Sequence, residues 1–539
     1  MKTMFKNIFT AAAALSLVMG AASCADDLSQ SIQDEQTNTV FDANAFLAKV
    51  YSSLTLTGQT GGSGNADMQQ FDEGNSSWHR RIFEANELCS DECIWTWQGD
   101  AGIPELTNLS WNSSHGYNEL TYYRLMYNVT LCNSYLDQTE GNTDPQVLQN
   151  RAEVRFLRAL NNFQFIDLFG RAPYKEHVSS DLPELKTRTE MFQIVESELK
   201  SIIDGTSNGE QLLDFAGDDA NYGRADKVAA KMLLARLYLN AEVYTGTARW
   251  SDAAAYAGEV INSQYKLNTT ASNGYSAYEQ LFMGDNGENP NARQEIIFPI
   301  RCDGATSRSY GGSNYTIAST TGQGTPDQCL PSSQWTCNRA RQALIDKFTS
   351  DGAGMSNKSY SAHEFAAACG DDRAMFFVDE ARTYSTEEKT TFTSGFGIMK
   401  WTNAYSNGGT PSDVAFADTD VPLMRVAEAY LTRAEANFRS GNSEAALADV
   451  NVLRARANAA QWDFINQQRL LEEWGREFYF EGRRRSDLIR FGVFTSGTYV
   501  WDWKGGSYAG NGVESKYNLY PIPANELSAN PAIGQNPGY

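Results

Sequence analysis

Trp95 and Trp97 stand two residues apart in the segment Asp91-Glu-Cys-Ile-Trp-Thr-Trp-Gln-Gly-Asp100. Indole faces cover the C–H patches of a sugar ring at modest desolvation cost, and polar groups at the rim bond its hydroxyls. Asp91, Glu92, Gln98 and Asp100 supply such groups, and Arg80 lies fifteen residues before Trp95. On an extended segment the two indoles share one side. The same pair suits a hydrophobic core equally well, because tryptophan is usually largely buried.

A second chemistry sits at Cys24. Lys2 and Lys6 open the chain, an apolar stretch runs from Ala11 to Ala22, and Ala21-Ala22-Ser23 leads into the cysteine. This is the layout of a secretory signal over residues 1–23. A cysteine just after such a cleavage point is where bacterial lipoproteins receive their lipid, although Ala21 stands where a leucine is more usual. The apolar stretch is too short to span a bilayer, so the chain is expected to be tethered to a membrane rather than to cross it. Residues 24–40 are polar and read as a flexible tether.

Two carboxylate motifs have competing readings. Asp418-Thr-Asp420 precedes a predicted helix near residue 422. Acidic residues there stabilise a helix N-terminus, or supply two oxygen ligands to a structural calcium. Glu472, Glu473, Glu477 and Glu481 alternate with Arg476, Arg483, Arg484 and Arg485 near helical spacing. Such a run is expected on a solvated helix face. Glycoside hydrolysis needs two carboxylates on opposite sides of a bond, and the adjacent pair Asp371 and Asp372 is badly placed for that.

The chain has 539 residues and a net charge of −22, which becomes −24 once Lys2 and Lys6 leave with the signal. That balance argues against nucleic acid and anionic lipid surfaces as partners. Seven cysteines remain besides Cys24, an odd number with no C-x-x-C spacing, so neither a disulfide framework nor a zinc site is expected.

Apolar residues recur every three and four positions over 42–56, 118–137, 148–169, 189–203, 225–244 and 251–263, then again over 422–439, 443–458 and 466–490. The segments 228–263 and 425–458 each read as two helices joined at a glycine, with alanines where the helices touch. This is the pattern of tetratricopeptide-like pairs, which bury their faces only by stacking. Between the two halves, about 265–420, periodicity fades and Gly, Ser, Asn and Thr are dense. That stretch is too long for a simple loop and predicts a mixed lobe with short strands such as Glu295–Arg301. The expected fold is mostly α: a single domain over 41–539, with a helical superhelix (41–264 and 421–539) and an irregular lobe. Binding loops are expected mainly in 265–420, together with 71–115.

Four segments together resemble the SusD/RagB family of outer-membrane lipoproteins. They are Ala152–Leu160 with Asp167–Gly170, Asp420–Tyr430 with Arg433–Ala436, Glu477–Gly482 with Arg485–Arg490, and Tyr520–Pro523 through Gln535–Tyr539. Asp91–Gln98, Tyr135–Gly141, Ser309–Ser313 and Trp501–Gly506 further resemble the family's starch-binding founder. The resemblance implies a non-catalytic, lipid-anchored protein of the cell surface. It would bind starch or maltooligosaccharides and pass them to a SusC-like TonB-dependent transporter. Other surface glycan-binding lipoproteins and an amylase would be further partners, and no cofactor is required beyond the candidate calcium. It also implies site roles. Trp95, Trp97 and Tyr310 would form an aromatic arc, Trp335 would edge it, and Arg80 would bond sugar hydroxyls. Asp100 stands where the founder has an asparagine, and a carboxylate has no donor to offer. The alternatives are a docking lid without sugar affinity, a different glycan, and a glycosidase.

Overall fold

A computed structural model describes residues 41–58, 62, 66–68, 74–322 and 324–539. The signal, Cys24 and the tether lie outside the described residues. Among those described, no helix is long and apolar enough to cross a membrane.

Long helices carry the scaffold. Gly116–Gln138, Pro145–Leu168, Arg188–Asp204, Lys227–Leu239 and Trp250–Ile261 pack each against the next, and Trp250–Ile261 then packs against Val426–Arg439, which packs against Ser443–Arg456. Local chemistry fixes their ends. Asp144 caps Pro145–Leu168 by accepting the Gln146 amide at 2.8 Å, with proline at the first turn. Thr187 and Glu190 form a capping box, and Gly205 closes the same helix at φ 65. Leu233, Leu234, Ala235 and Leu237 of Lys227–Leu239 and Ala253, Ala257 and Val260 of Trp250–Ile261 are buried, and the two helices pack together as the alanine spacing predicts.

The chain leaves this stack after Ile261 and returns at Val426 onto the very helix it left. Ile296–Ile300 pairs antiparallel with Val421–Arg425, so the excursion is clamped at its root. Between the clamp's arms the lobe has only short helices and two-stranded ribbons.

Three local readings differ from the structure. Residues 421–425 are strand rather than helix, because they pair with Ile296–Ile300. The 466–490 pattern is two helices, Gln467–Phe478 and Arg484–Arg490, broken where Phe480 and Gly482 take φ of 59 and 76. A further helix, Trp78–Glu87, buries all ten of its residues although six of them are polar or charged, which its composition does not announce.

The Glu/Arg run is not solvated. Glu473, Glu477, Arg484 and Arg485 are buried. Glu477 bonds Arg425 at 2.6 Å and Arg373 at 3.1 Å, with Arg456 closer still. Glu295, beside the lobe's root, bonds Arg456 at 3.1 Å and Arg425 at 3.3 Å. Glu481 bonds Lys400 at 2.6 Å and Arg425 at 2.7 Å. The helix presents its charges to another set of charges rather than to water, and spacing alone does not distinguish the two. Burial raises the Glu473 and Glu477 carboxyls, but the surrounding guanidinium groups outweigh it. Glu473 is held at about 2 and Glu477 lower still.

Candidate glycan-binding site

The site is built on a short ribbon. Cys93–Trp95 pairs antiparallel with Asn338–Ala340, with Ile94 opposite Arg339 and Trp95 opposite Asn338. The Thr96 amide extends it by donating to the Cys337 carbonyl at 2.6 Å. Trp97 follows the strand's end, so the even alternation assumed for the two tryptophans stops between them. Trp95 is 3% exposed and Trp97 40%. Trp95 donates its indole N–H to Asp100 at 3.3 Å, and Gln98 bonds the Trp95 carbonyl at 2.8 Å.

Trp335 approaches from the other strand's side, its amide donating to the Ala318 carbonyl at 2.7 Å. Tyr310 is presented by a turn in which Ser309 Oγ donates to the Thr55 carbonyl at 2.7 Å and accepts the Gly311 amide at 2.9 Å. The two following glycines serve protein packing. A Cβ on Gly311 would collide with Ser77, and one on Gly312, at φ 57, with Thr55.

Six rings run in unbroken succession through this region. Trp97 meets Trp95 edge to face at 6.0 Å, and Trp95 stacks on Tyr315 at 6.2 Å and 16°. Tyr315 meets Trp335 at 6.4 Å, Trp335 meets Tyr310 at 6.4 Å, and Tyr310 meets Phe416 at 4.9 Å. Trp97 is exposed, Trp335 and Tyr310 are half-buried, and Trp95, Tyr315 and Phe416 lie behind them.

Tyr315 and Phe416 have no sequence signal of their own. Tyr315 falls five residues after Tyr310, on the helix Gly312–Ala318 that the glycine pair opens. It is the hub: Arg80 lies over its ring at 4.7 Å and Phe83 meets it at 5.4 Å. Arg80 itself is 4% exposed and donates from Nε to Glu84 at 2.7 Å. Burial raises the Glu84 carboxyl, but Arg81 and Arg80 outweigh that and hold it below the usual range. Arg80 thus sits behind the rings.

Asp418 and Asp420, the residues expected to ligate a calcium, both accept hydrogen bonds from the lobe's loops. Asp418 accepts the Gly304 amide at 2.9 Å, the Ser412 amide at 2.7 Å and the Tyr405 hydroxyl at 3.1 Å. Asp420 accepts the Cys302 amide at 2.8 Å, and burial pushes its carboxyl up to about 7. Both carboxylates tie the lobe's loops together. Among the described residues no cluster of three or more His, Cys, Asp or Glu is placed to hold a metal ion.

Comparison with known proteins agrees with this architecture. Residues 377–539 match the model described as the SusD family, and residues 26–239 one described as starch-binding, associating with the outer membrane. The starch-binding protein SusD of Bacteroides thetaiotaomicron is 44% identical over the whole of both chains. The chain belongs to the SusD family. A second SusD-family relative, SusD-like protein P25 of Formosa agariphila, is 24% identical over 76% of each chain. Among solved structures, a SusD-like protein from Bacteroides fragilis superposes with a TM-score of 0.69 at 18% identity, covering 95% of this chain and all of its own. A surface glycan-binding protein from B. thetaiotaomicron, solved with laminarihexaose, superposes with 0.65 at 19% identity, covering 92% of this chain and 98% of its own. The SusD fold is thus shared with proteins of low identity, and a SusD relative close in sequence is named for starch.

Proposed function

We propose that this chain is a non-catalytic binding protein for starch and α-1,4-glucan oligosaccharides, held by a lipid on Cys24 at the outer-membrane surface, where it serves a SusC-like transporter. The observation that carries it is the aromatic arc. Trp97 offers an open indole face, Tyr310 and Trp335 continue the surface, and a buried second layer fixes all three. Rings from segments more than two hundred residues apart make a preformed surface, which lowers the ordering cost of binding. A coiled α-glucan suits rings set at successive angles, whereas a β-1,4-glucan is extended. The 44% identity to a named starch-binding protein supports the same ligand.

Native affinity electrophoresis in amylopectin tests the binding, and calorimetry with matched-length α- and β-glucans tests the selectivity. Retardation in amylopectin and tighter binding of the α-series are expected. Equal affinity for both series would remove the starch assignment. An assay for new reducing ends from amylose tests the non-catalytic reading, and none are expected. Mass spectrometry of the mature N-terminus should find acyl chains on Cys24.

A further inference from the structure

The segment Trp501-Asp-Trp-Lys-Gly-Gly506 takes no part in the arc, yet it is built with unusual care. Trp503 has φ 68, a left-handed backbone that a bulky residue adopts only when its surroundings impose it. The surroundings do so. Buried Lys504 donates to the carbonyls of Ser496 at 2.6 Å and Tyr499 at 2.7 Å. Buried Asp502 is bonded by Arg341 at 2.8 Å, and Trp503 donates its indole N–H to the Thr386 carbonyl at 3.0 Å.

What this turn presents is an aromatic corner. Trp503 and Tyr508, both half-buried, have centroids 5.9 Å apart and planes at 57°. Gly505 and Gly506 beside them are exposed, leaving backbone open to close approach. The Lys389 ammonium lies over one face of the Trp503 indole, 4.1 Å from its centroid, and at the rim the Tyr508 hydroxyl meets Ser385 at 2.7 Å and Gln342 at 3.2 Å. Half-exposed indole and phenol at an angle, with donors and acceptors around them, is the chemistry of a hexose subsite.

The corner is fastened to the ribbon that carries the arc. Arg341, just past Asn338–Ala340, bonds the Cys93 carbonyl at 2.7 Å as well as Asp502. The helix Ile103–Asn108, three residues past Asp100, packs on Lys504–Gly506.

We infer that Trp503 and Tyr508 form a second carbohydrate platform, which takes hexose units of a polymer already held at Trp97. This inference rests on the proposed function for its polymer. Two platforms on one rigid body make the second contact intramolecular, so long chains gain avidity that short ones do not.

The test uses the full chain without its signal, as wild type, Trp97→Ala, Trp503→Ala and the double variant, each checked for an unchanged melting temperature. Trp503→Ala alone is expected to weaken amylopectin binding about tenfold and leave maltotriose binding unchanged. The double variant is expected to lose the residual retardation that Trp97→Ala retains. Tyr508→Ala replaces Trp503→Ala if the latter does not fold. Retardation of the wild type in amylopectin that Trp503→Ala leaves unchanged overturns the platform and leaves the proposed function standing. The same four proteins are run in laminarin and xylan gels. Retardation there that depends on Trp503, with none in amylopectin, keeps the platform and removes the starch reading. No dependence on Trp503 in any gel overturns the platform.

Discussion

Trp95 and Trp97 meet edge to face, their planes at 84° and their centroids 6.0 Å apart, with Trp97 in solvent and Trp95 behind it. One ring is open to a ligand and the other braces it. The two therefore separate in mutagenesis.

Trp97→Ala is expected to cost about 1–3 kcal/mol of glucan binding, by analogy with stacking on aromatic side chains elsewhere. Its thermal midpoint should stay at the wild-type value. Trp95→Ala opens a cavity against Tyr315 and should cost about 3–5 kcal/mol of stability. Calorimetric titration and a melting curve on each variant check this. A Trp97→Ala protein that melts early would reverse the assignment.

Asp100→Asn keeps an acceptor for the Trp95 indole N–H and adds a donor that a carboxylate lacks. Glucan affinity should rise by about 1 kcal/mol, one net hydrogen bond. Titration with maltoheptaose reads it out, and an unchanged affinity would mean that Asp100 does not reach the sugar.

Glu477→Ala leaves Arg373, Arg425 and Arg456 facing one another without their shared carboxylate. A loss of about 3–5 kcal/mol in unfolding free energy is expected from breaking a buried pair. Urea denaturation measures it.

The same cluster sets the acid limb of stability. The Glu473 carboxyl is depressed in the fold from its ordinary 4.5 to about 2. Its contribution is therefore complete above about pH 4.5 and is lost as pH falls towards 2. Urea midpoints across that window should fall steeply in the wild type and less steeply in Glu473→Gln. Parallel slopes would remove Glu473 as a cause.

Dialysis against a chelator, followed by a melting curve, tests the calcium expected at Asp418 and Asp420: a fall in melting temperature restored by calcium, and lost in Asp420→Asn, is the expected outcome. An unchanged melting temperature would leave both carboxylates as loop fasteners only.

Much of the scaffold was legible in the chain. Helices such as Arg188–Asp204 and Val426–Arg439 show themselves because one face is apolar and the other is not. Trp78–Glu87 escaped because its His, Arg, Glu and Asn side chains read as solvated although all of them are buried. The Glu/Arg run around Glu477 reads as a surface because spacing reports which residues are neighbours and not what lies opposite them. Trp97 was singled out by type and by resemblance, Tyr310 and Trp335 by resemblance alone. Tyr315 and Phe416 were not, since only the fold gathers residues 95, 315 and 416 into one stack.

The root of the lobe carries a last consequence. Glu295 enters the lobe's first long strand, Arg425 ends its returning one, and Arg456 and Glu477 belong to the helices beyond. Four charges from four distant stretches share one dry knot, and none can be hydrated unless both the lobe and the stack open. The two parts therefore melt together. Replacing exposed loops beyond the knot changes what the surface recognises while the knot itself stays intact.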